Sequence, residues 1–285
     1  MSWAGSLFIG NKRVLFVGEA GEATEHSLPA IKICAALNGN FKLSIDSKSN
    51  LYSAAIIGAQ TKHSADNRSA RLIVLLYLLP LTTESIELKR LYLSEDKVHE
   101  ISPNSANKLL SNLGELQDHW NWTCITAFEA CREIVGELIE KPSSELSHVV
   151  NAHIRRIIEY LYSEIEKQQN APSFDLKRFE PDVIIDELKL YDVGWNKDNF
   201  KSKFKRLTGA AYKDVQKMLR LRAALINLGT NRTARSKAFL TQVAVSVGFD
   251  LHQLGAAFRD MLGINPSILE GDSRFINCKE IDGNL

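Results

Sequence analysis

The sequence predicts an α+β chain. An N-terminal β-sandwich or barrel carries a helical hairpin, and an all-α C-terminal half is built on two helix-turn-helix units. Short apolar runs separated by turn residues fill the first hundred positions. From about Ser105 the apolar period lengthens to that of a helix. Further on, one pattern containing two glycines occurs twice in register.

The apolar runs of the first part are Ser6–Ile9, Val14–Val17, Ile31–Leu37, Phe41–Ile45, Leu51–Ile57 and Leu72–Leu79. Gly10-Asn11 and Asn38-Gly39-Asn40 supply turns between them, and Gly18–Thr24 reads as a loop. Many short strands at this spacing fit stacked sheets or a small barrel. The longest apolar run, Leu72–Leu81, is too short to span a bilayer as a helix and reads as a buried strand. The first five residues lack the basic segment and apolar stretch of a signal peptide. Cytoplasmic location and no membrane partner are the expectation.

Leu109, Leu110, Leu113 and Leu116 recur at helical spacing, as do Ile125, Phe128, Val135, Leu138 and Ile139. Two such helices form a hairpin that packs on its own β-domain or on a second copy, so a homodimer is expected. Pro142 lies in a polar, helix-breaking stretch and marks a boundary. The domains expected are 1–141, 147–270 and a tail at 271–285. Within the helical half, Gln168–Phe174 and Gly229–Lys237 read as loops.

With 45% hydrophobic and 24% charged residues the chain can fill a core in each domain, which excludes a long disordered tail. The net charge of +1 implies no partner, but its distribution does. From Asn196 to Lys237 there are 12 basic residues against Asp198 and Asp214 alone. Such a segment is an electrostatic footprint for a polyanion. Cys34, Cys124, Cys131 and Cys278 have no metal-ligand spacing and read as small buried apolar residues in a reducing compartment.

The repeated pattern runs Val193–Gly209 and Val247–Gly263. Each copy has Val-Gly-aromatic, then Asn196 or Asp250, natural N-caps for the helix that follows. Gly194 and Gly248 supply the tight turn. Phe200, Phe204 and Leu207 fall on one buried face of the first helix, and Leu254 and Phe258 do so in the second. The opposite pole of the first helix carries Asp198, Ser202 and Lys205, flanked by Lys201 and Arg206. In the second it carries His252, Ala256 and Arg259. Side chains so placed reach a major groove.

These residues resemble the AraC/XylS family of transcriptional regulators. The strongest matches are Leu240–Phe249, Ala257–Arg259 and Gly263–Ser267, then Val193-Gly194, Phe200–Arg206 and Thr208-Gly209. Tyr212 and Met218–Leu225 are similar to the family's linker helix, and Ile154–Ile157 to its opening helix. The resemblance implies sequence-specific binding of double-stranded DNA, a homodimer, RNA polymerase as a partner and a small-molecule effector. It places Asn196, Lys197, Asp198, Lys201, Ser202, Lys203, Lys205, Arg206, His252, Ala256 and Arg259 at the DNA. The five basic residues of the first copy, against Asp250 and Asp260 in the second, give the first copy the stronger grip.

The N-terminal half resembles the family's cupin-like sensor domain at Gly5–Gly10, Arg13–Gly18 and Arg71–Tyr77. Metal-binding cupins gather several histidines, and here only His26 and His63 remain. Two are too few for a transition metal, so no metal or other cofactor is expected, and the two rings line a pocket or the surface. No Ser/His/Asp or Cys/His arrangement supports an enzyme. The alternative to a DNA-binding regulator is a degenerate relative that acts through protein–protein contacts. Salt-dependent binding to duplex DNA separates the two.

Overall fold

The computed structural model describes residues 3–80, 82–94, 96–112, 116–139, 152–169, 173–230, 236–266 and 273–278. Its contacts divide into two units, one of residues 1–142 with 258–285 and one of residues 143–257. Each is described by itself.

The first unit is built on β1 (Ala4–Ile9), β2 (Arg13–Glu19), β3 (Glu22–His26), β4 (Ile31–Leu37), β5 (Phe41–Ile45), β6 (Lys48–Tyr52), β7 (Ala54–Ile57), β8 (His63–Asp66), β9 (Leu72–Leu78) and β10 (Val98–Glu100). A last strand, β11 (Ser273–Asn277), completes a seven-stranded sheet in the order β10-β7-β4-β9-β2-β1-β11. The second sheet has the order β3-β8-β5-β6. Strands β4 and β9 read as near-continuous apolar runs because they lie inside the larger sheet with both faces covered.

One face of that sheet presents Phe8, Leu15, Val17, Ile31, Ile33, Val74 and Leu76 to three helices. These are α1 (Thr83–Tyr92), α2 (Pro103–Asn112) and α3 (Cys124–Leu138), which add Leu88, Leu110, Phe128, Cys131 and Ile134 to one continuous core. On the other face Lys32 meets His63 of the smaller sheet.

The apolar pattern does not announce α1. Its only buried apolar side chain is Leu88, and polar contacts fix the rest. The Thr82 hydroxyl caps it by accepting from Ser85 N at 3.1 Å. Arg13 pairs with Glu84 at 2.9 Å, and the Tyr92 hydroxyl donates to Leu138 O at 2.7 Å. Part of the expected Gly18–Thr24 loop is strand, since β2 runs to Glu19 and β3 begins at Glu22. The run Leu51–Ile57 is two strands in different sheets, broken at Ser53.

The expected loop at Gln168–Phe174 lies partly inside a helix that continues to Gln169, and residues 170–172 are outside the described residues. The helix-breaking stretch at Pro142 and most of the Gly229–Lys237 loop also lie outside them. Among the described residues no helix is long and apolar enough to cross a membrane.

The segment 271–285, expected as a tail, contains β11, which pairs in parallel with β1. Cys278 N then donates to Ile9 O at 2.9 Å. The reading of all four cysteines as small buried apolar residues also fails at two of them. Cys124 and Cys278 form a disulfide across 154 residues, while Cys34 and Cys131 are buried outside it. Spacing along the chain cannot reveal a contact that the sheet edge creates.

Antiparallel pairing of β3 with β8 sets His26 beside His63, with ring centroids 4.2 Å apart. Both residues are only 4% exposed, which rules out the surface, one of the two places expected for them. Burial, reinforced by Lys32, pushes the pKa of His26 down to about 3 and that of His63 down to about 2. Both rings are therefore neutral in the folded state, whereas in the unfolded chain they take up protons near pH 6.5. The unfolded state then binds more protons below pH 6.5, so stability falls as pH falls through that range. By pH 5 the loss is about 2 kcal/mol per ring. Denaturant midpoints of the full chain at pH 7 and pH 5 should show this loss, and a His26→Gln/His63→Gln variant should lack most of it. A variant with the wild-type acid dependence would assign the effect elsewhere.

Candidate nucleic-acid interface

The helical unit comprises α4 (Ala152–Gln169), α5 (Pro181–Glu187), α6 (Lys197–Thr208), α7 (Tyr212–Thr230), α8 (Lys237–Ser246) and the start of α9 (Leu251–Leu262). The first helix-turn-helix is α5, a single 3-10 turn at Leu190–Val193, Gly194 and α6. The second is α8, Gly248 and α9. The glycines that repeat in the sequence share one backbone conformation. Gly194, Gly209, Gly248 and Gly263 have φ of 78, 76, 73 and 71°. That left-handed region favours glycine. At Gly248 a Cβ would also run into the Phe174 ring.

Both recognition helices open on a reciprocal cap. The Asn196 side chain accepts from Asn199 N, and the Asn199 side chain accepts from Asn196 N, each at 3.0 Å. Asp250 accepts from Gln253 N at 2.7 Å, and Gln253 returns the bond to Asp250 N at 3.1 Å. Two orphan donors are satisfied at each helix start.

In α6, Phe200 and Phe204 are fully buried and meet the Tyr212 ring edge-on at 5.1 and 5.3 Å. The Tyr212 hydroxyl donates to Phe179 O at 2.7 Å, which ties α7 to the turn that leads into α5. Leu207, expected on the buried face, is 38% exposed. It lies in the last turn of the helix.

The outward side of α6 carries Asn196, Lys197, Asp198, Lys201, Ser202, Lys205 and Arg206, all exposed. They are not electrostatically equivalent. Lys197 pairs with Asp182 at 2.7 Å, an exposed pair of small net worth. Lys203 turns back, donating to Gly194 O and stacking over Trp195 at 5.6 Å. Asn196 spends its side chain on the cap. Lys201, Lys205 and Arg206 have no side-chain partner among the described residues. They form the cluster of cations that a phosphate could meet without first breaking a contact.

The second recognition helix differs. His252 is exposed, Ala256 is half-buried, and Arg259 is exposed beyond the division at residue 258. Within the first unit Arg259 lines a cleft of about 320 Å³ with Glu22, Thr24, Arg68 and Asn265.

Arg220, in the middle of α7, holds the second turn. Its Nε donates to Val247 O at 2.7 Å and its Nη2 to Gly248 O, while the guanidinium lies 3.8 Å over the Phe249 ring. Burial lowers its pKa to about 10, still far above neutrality. Sequence reasoning placed this arginine in the linker helix but assigned it no role. The signal available was a pair of basic residues, Arg220 and Arg222, in the otherwise apolar stretch Met218–Leu225.

The resemblance of the N-terminal sequence to a cupin-like domain raises the question of a metal in the first unit, and the donors do not fit one. His26 Nδ1 and His63 Nδ1 donate to Thr24 O and Thr61 O, each at 2.8 Å. His63 Nε2 then faces the Lys32 ammonium at 3.3 Å. A buried cation on the remaining lone pair repels a second cation. Among the described residues no three His, Cys, Asp or Glu side chains converge on one point.

No family model matches the sequence, and no curated protein does. Solved structures do match the fold. A single-substitution variant of ToxT from Vibrio cholerae, in its apo form, aligns over 90% of this chain and 96% of its own, at 12% identity and a TM-score of 0.51. An unsaturated-fatty-acid-bound form of ToxT from Vibrio cholerae aligns over 92% of this chain and 96% of its own, at 14% identity and a TM-score of 0.45. An RmlC-like cupin from Shewanella frigidimarina covers 23% of this chain and 63% of its own, at 13% identity and a TM-score of 0.20. On the first of these matches the chain has an α+β, ToxT-like fold.

Arg220→Met keeps the length of the stem but removes the donors, leaving the Val247 and Gly248 carbonyls without them. The expected cost is about 2–4 kcal/mol. Hydrogen exchange should show the loss concentrated at α8 and the start of α9. A uniform change across the chain, or none, would remove Arg220 from its role as the holder of the second turn.

Proposed function

We propose that this chain is a sequence-specific DNA-binding transcriptional regulator, with α6 as its principal reading helix. The observation that carries the reading is the cluster Lys201, Lys205 and Arg206. It is exposed, unpaired among the described residues, and set on the outward pole of a capped helix behind a tight glycine turn. Phosphate contacts by such cations supply affinity and its salt dependence, while Asp198 and Ser202 on the same pole are placed to discriminate bases. A homodimer and RNA polymerase as a partner complete the proposal, on the family resemblance alone. The chain is not proposed as an enzyme.

A second reading, protein–protein action without DNA, is favoured by one observation. The outward pole of α9 offers only His252, half-buried Ala256 and Arg259, with Asp250 and Asp260 nearby. Affinity for a duplex selected from a random library, measured across a salt series, decides. Lys201→Ala/Lys205→Ala should weaken binding at least tenfold and flatten the log–log salt slope by about 1.8. Arg259→Ala should cost less. Failure of the folded chain to select any duplex would leave the second reading standing.

The β-unit is proposed to bind a small anionic effector. Lys32 is 6% exposed, and its contacts among the described residues are His63 Nε2 and the Tyr77 ring at 5.7 Å. Neither carries a negative charge at neutral pH, and a buried ammonium without an anion is costly. Lys32→Met should therefore leave the unliganded protein as stable as wild type or stabilise it by about 1–3 kcal/mol. It should also abolish any rise in Tm that a panel of carboxylates of graded chain length gives the wild type. Strong destabilisation by Lys32→Met in the absence of ligand would show that the ammonium is already neutralised.

A further inference from the structure

The chain leaves the first unit after α3 and returns to it through α9, ending on β11. In sequence the helical unit is thus an insertion within the first unit. The Cys124–Cys278 disulfide joins two segments of the first unit that flank the insertion in sequence. Cys124 is the first residue of α3, the last described helix before the insertion. Cys278 directly follows β11, the first strand after it. The disulfide therefore closes a covalent ring that contains every residue of the helical unit.

We propose that this disulfide is a reversible clasp that controls whether β11 stays on the edge of the larger sheet. In the oxidised chain β11 cannot leave β1 without carrying α3 with it. In the reduced chain β11 keeps its backbone ladder of five residue pairs, Gly5–Ile9 against Ser273–Asn277, on one side, together with non-covalent side-chain contacts such as that of Arg274 Nη2 with Trp122 O. An edge strand held that way opens more readily than the interior of the sheet. Its departure uncovers the backbone of β1, while the end of α9 stays on β3, where Ser27 N donates to Asp260 O and Thr24 N to Gly263 O, each at 2.8 Å. Cys124 is half-exposed, so an external thiol can reach the bond, whereas Cys278 is 2% exposed. Cys34 and Cys131 are buried and stand apart from the exchange.

A low-molecular-weight thiol–disulfide couple such as glutathione supplies the electrons. One glutathione thiolate attacks Cys124 Sγ and breaks the bond, leaving a mixed disulfide at Cys124 and a thiolate at Cys278. A second glutathione thiolate releases Cys124 as its thiolate and leaves as glutathione disulfide. Two electrons enter the protein, two protons from solvent complete the thiols, and oxidation is the reverse.

The test uses the full chain equilibrated with glutathione at defined ratios of thiol to disulfide. Alkylation after denaturation counts thiols, and a peptide map identifies the linked pair. The expected result is two alkylated cysteines and a Cys124–Cys278 cross-linked peptide under oxidising ratios, and four alkylated cysteines under reducing ones. Amide exchange of Ser273–Asn277 should be at least tenfold faster in the reduced chain, with β4 and β9 unchanged. Cys278→Ser should show the fast exchange at every ratio, and the reduced wild type gives the same reading should that variant fold poorly. Absence of the cross-linked peptide at all ratios, or equal exchange of β11 in both states, overturns the proposal.

Discussion

The parallel pairing of β11 with β1 is the constraint on which one edge of the larger sheet and the segment leading into α3 depend. Parallel neighbours need a crossover, and here the connection between the two is almost the whole chain. Once seated, β11 does more than lengthen the sheet. Arg274 donates from Nη2 to Trp122 O at 2.8 Å and lies 5.8 Å from the Phe8 ring, while Phe275 is buried. Arg274 thereby fixes the segment that leads into α3, and α3 in turn supplies Phe128, Cys131 and Ile134 to the core. The last strand in the sequence helps to set the position of the helix from which the insertion departs. Contacts of such sequence separation carry a large loop-closure cost, so this edge is expected to form late in folding.

Inside the helical unit, α7 plays the corresponding part through two different interactions. Near its start Tyr212 packs edge-on against Phe200 and Phe204 and donates to Phe179 O. Two turns further on, Arg220 donates to the backbone of the second turn and stacks on Phe249. The two copies of the motif repeat in sequence, but their anchors do not. An aromatic cluster tolerates small shifts because dispersion varies smoothly with distance, whereas a buried guanidinium bonded to two carbonyls fixes direction as well as distance. The second turn is therefore held in a more specific geometry than the first, even though its recognition helix is poorer in cations.

Local pattern made part of this legible. The runs Ile31–Leu37 and Phe41–Ile45 coincide with β4 and β5, because apolar runs bounded by Gly and Asn turns determine short strands. The four repeated glycines were legible because only a left-handed backbone position makes glycine recur in register. Helix α1 was not, since a single Leu88 and a set of polar contacts position it, and period analysis sees only apolar residues. β11 was not, because an edge strand of five residues carries too little pattern. At the interface, helical phase placed Lys201, Ser202, Lys205 and Arg206 on the exposed side of α6. Phase could not foresee that Lys203 folds its long stem back to Gly194 O, because a flexible side chain takes whichever partner lies within reach.

The space between the two sheets shows how one residue can redirect a fold. A pair of stacked sheets with two histidines at its centre has the beginnings of a cation site. Lys32 on β4 reverses its sign. With both Nδ1 atoms donating to backbone carbonyls, the rings keep their lone pairs on Nε2, and the ammonium takes that of His63. Each ring is then kept neutral, because a proton added to either would sit beside a positive charge in a medium that screens it poorly. The cluster holds one net positive charge in a buried place, with no carboxylate among the described residues to balance it. Coulomb energy there falls when an anion enters and rises when a cation does.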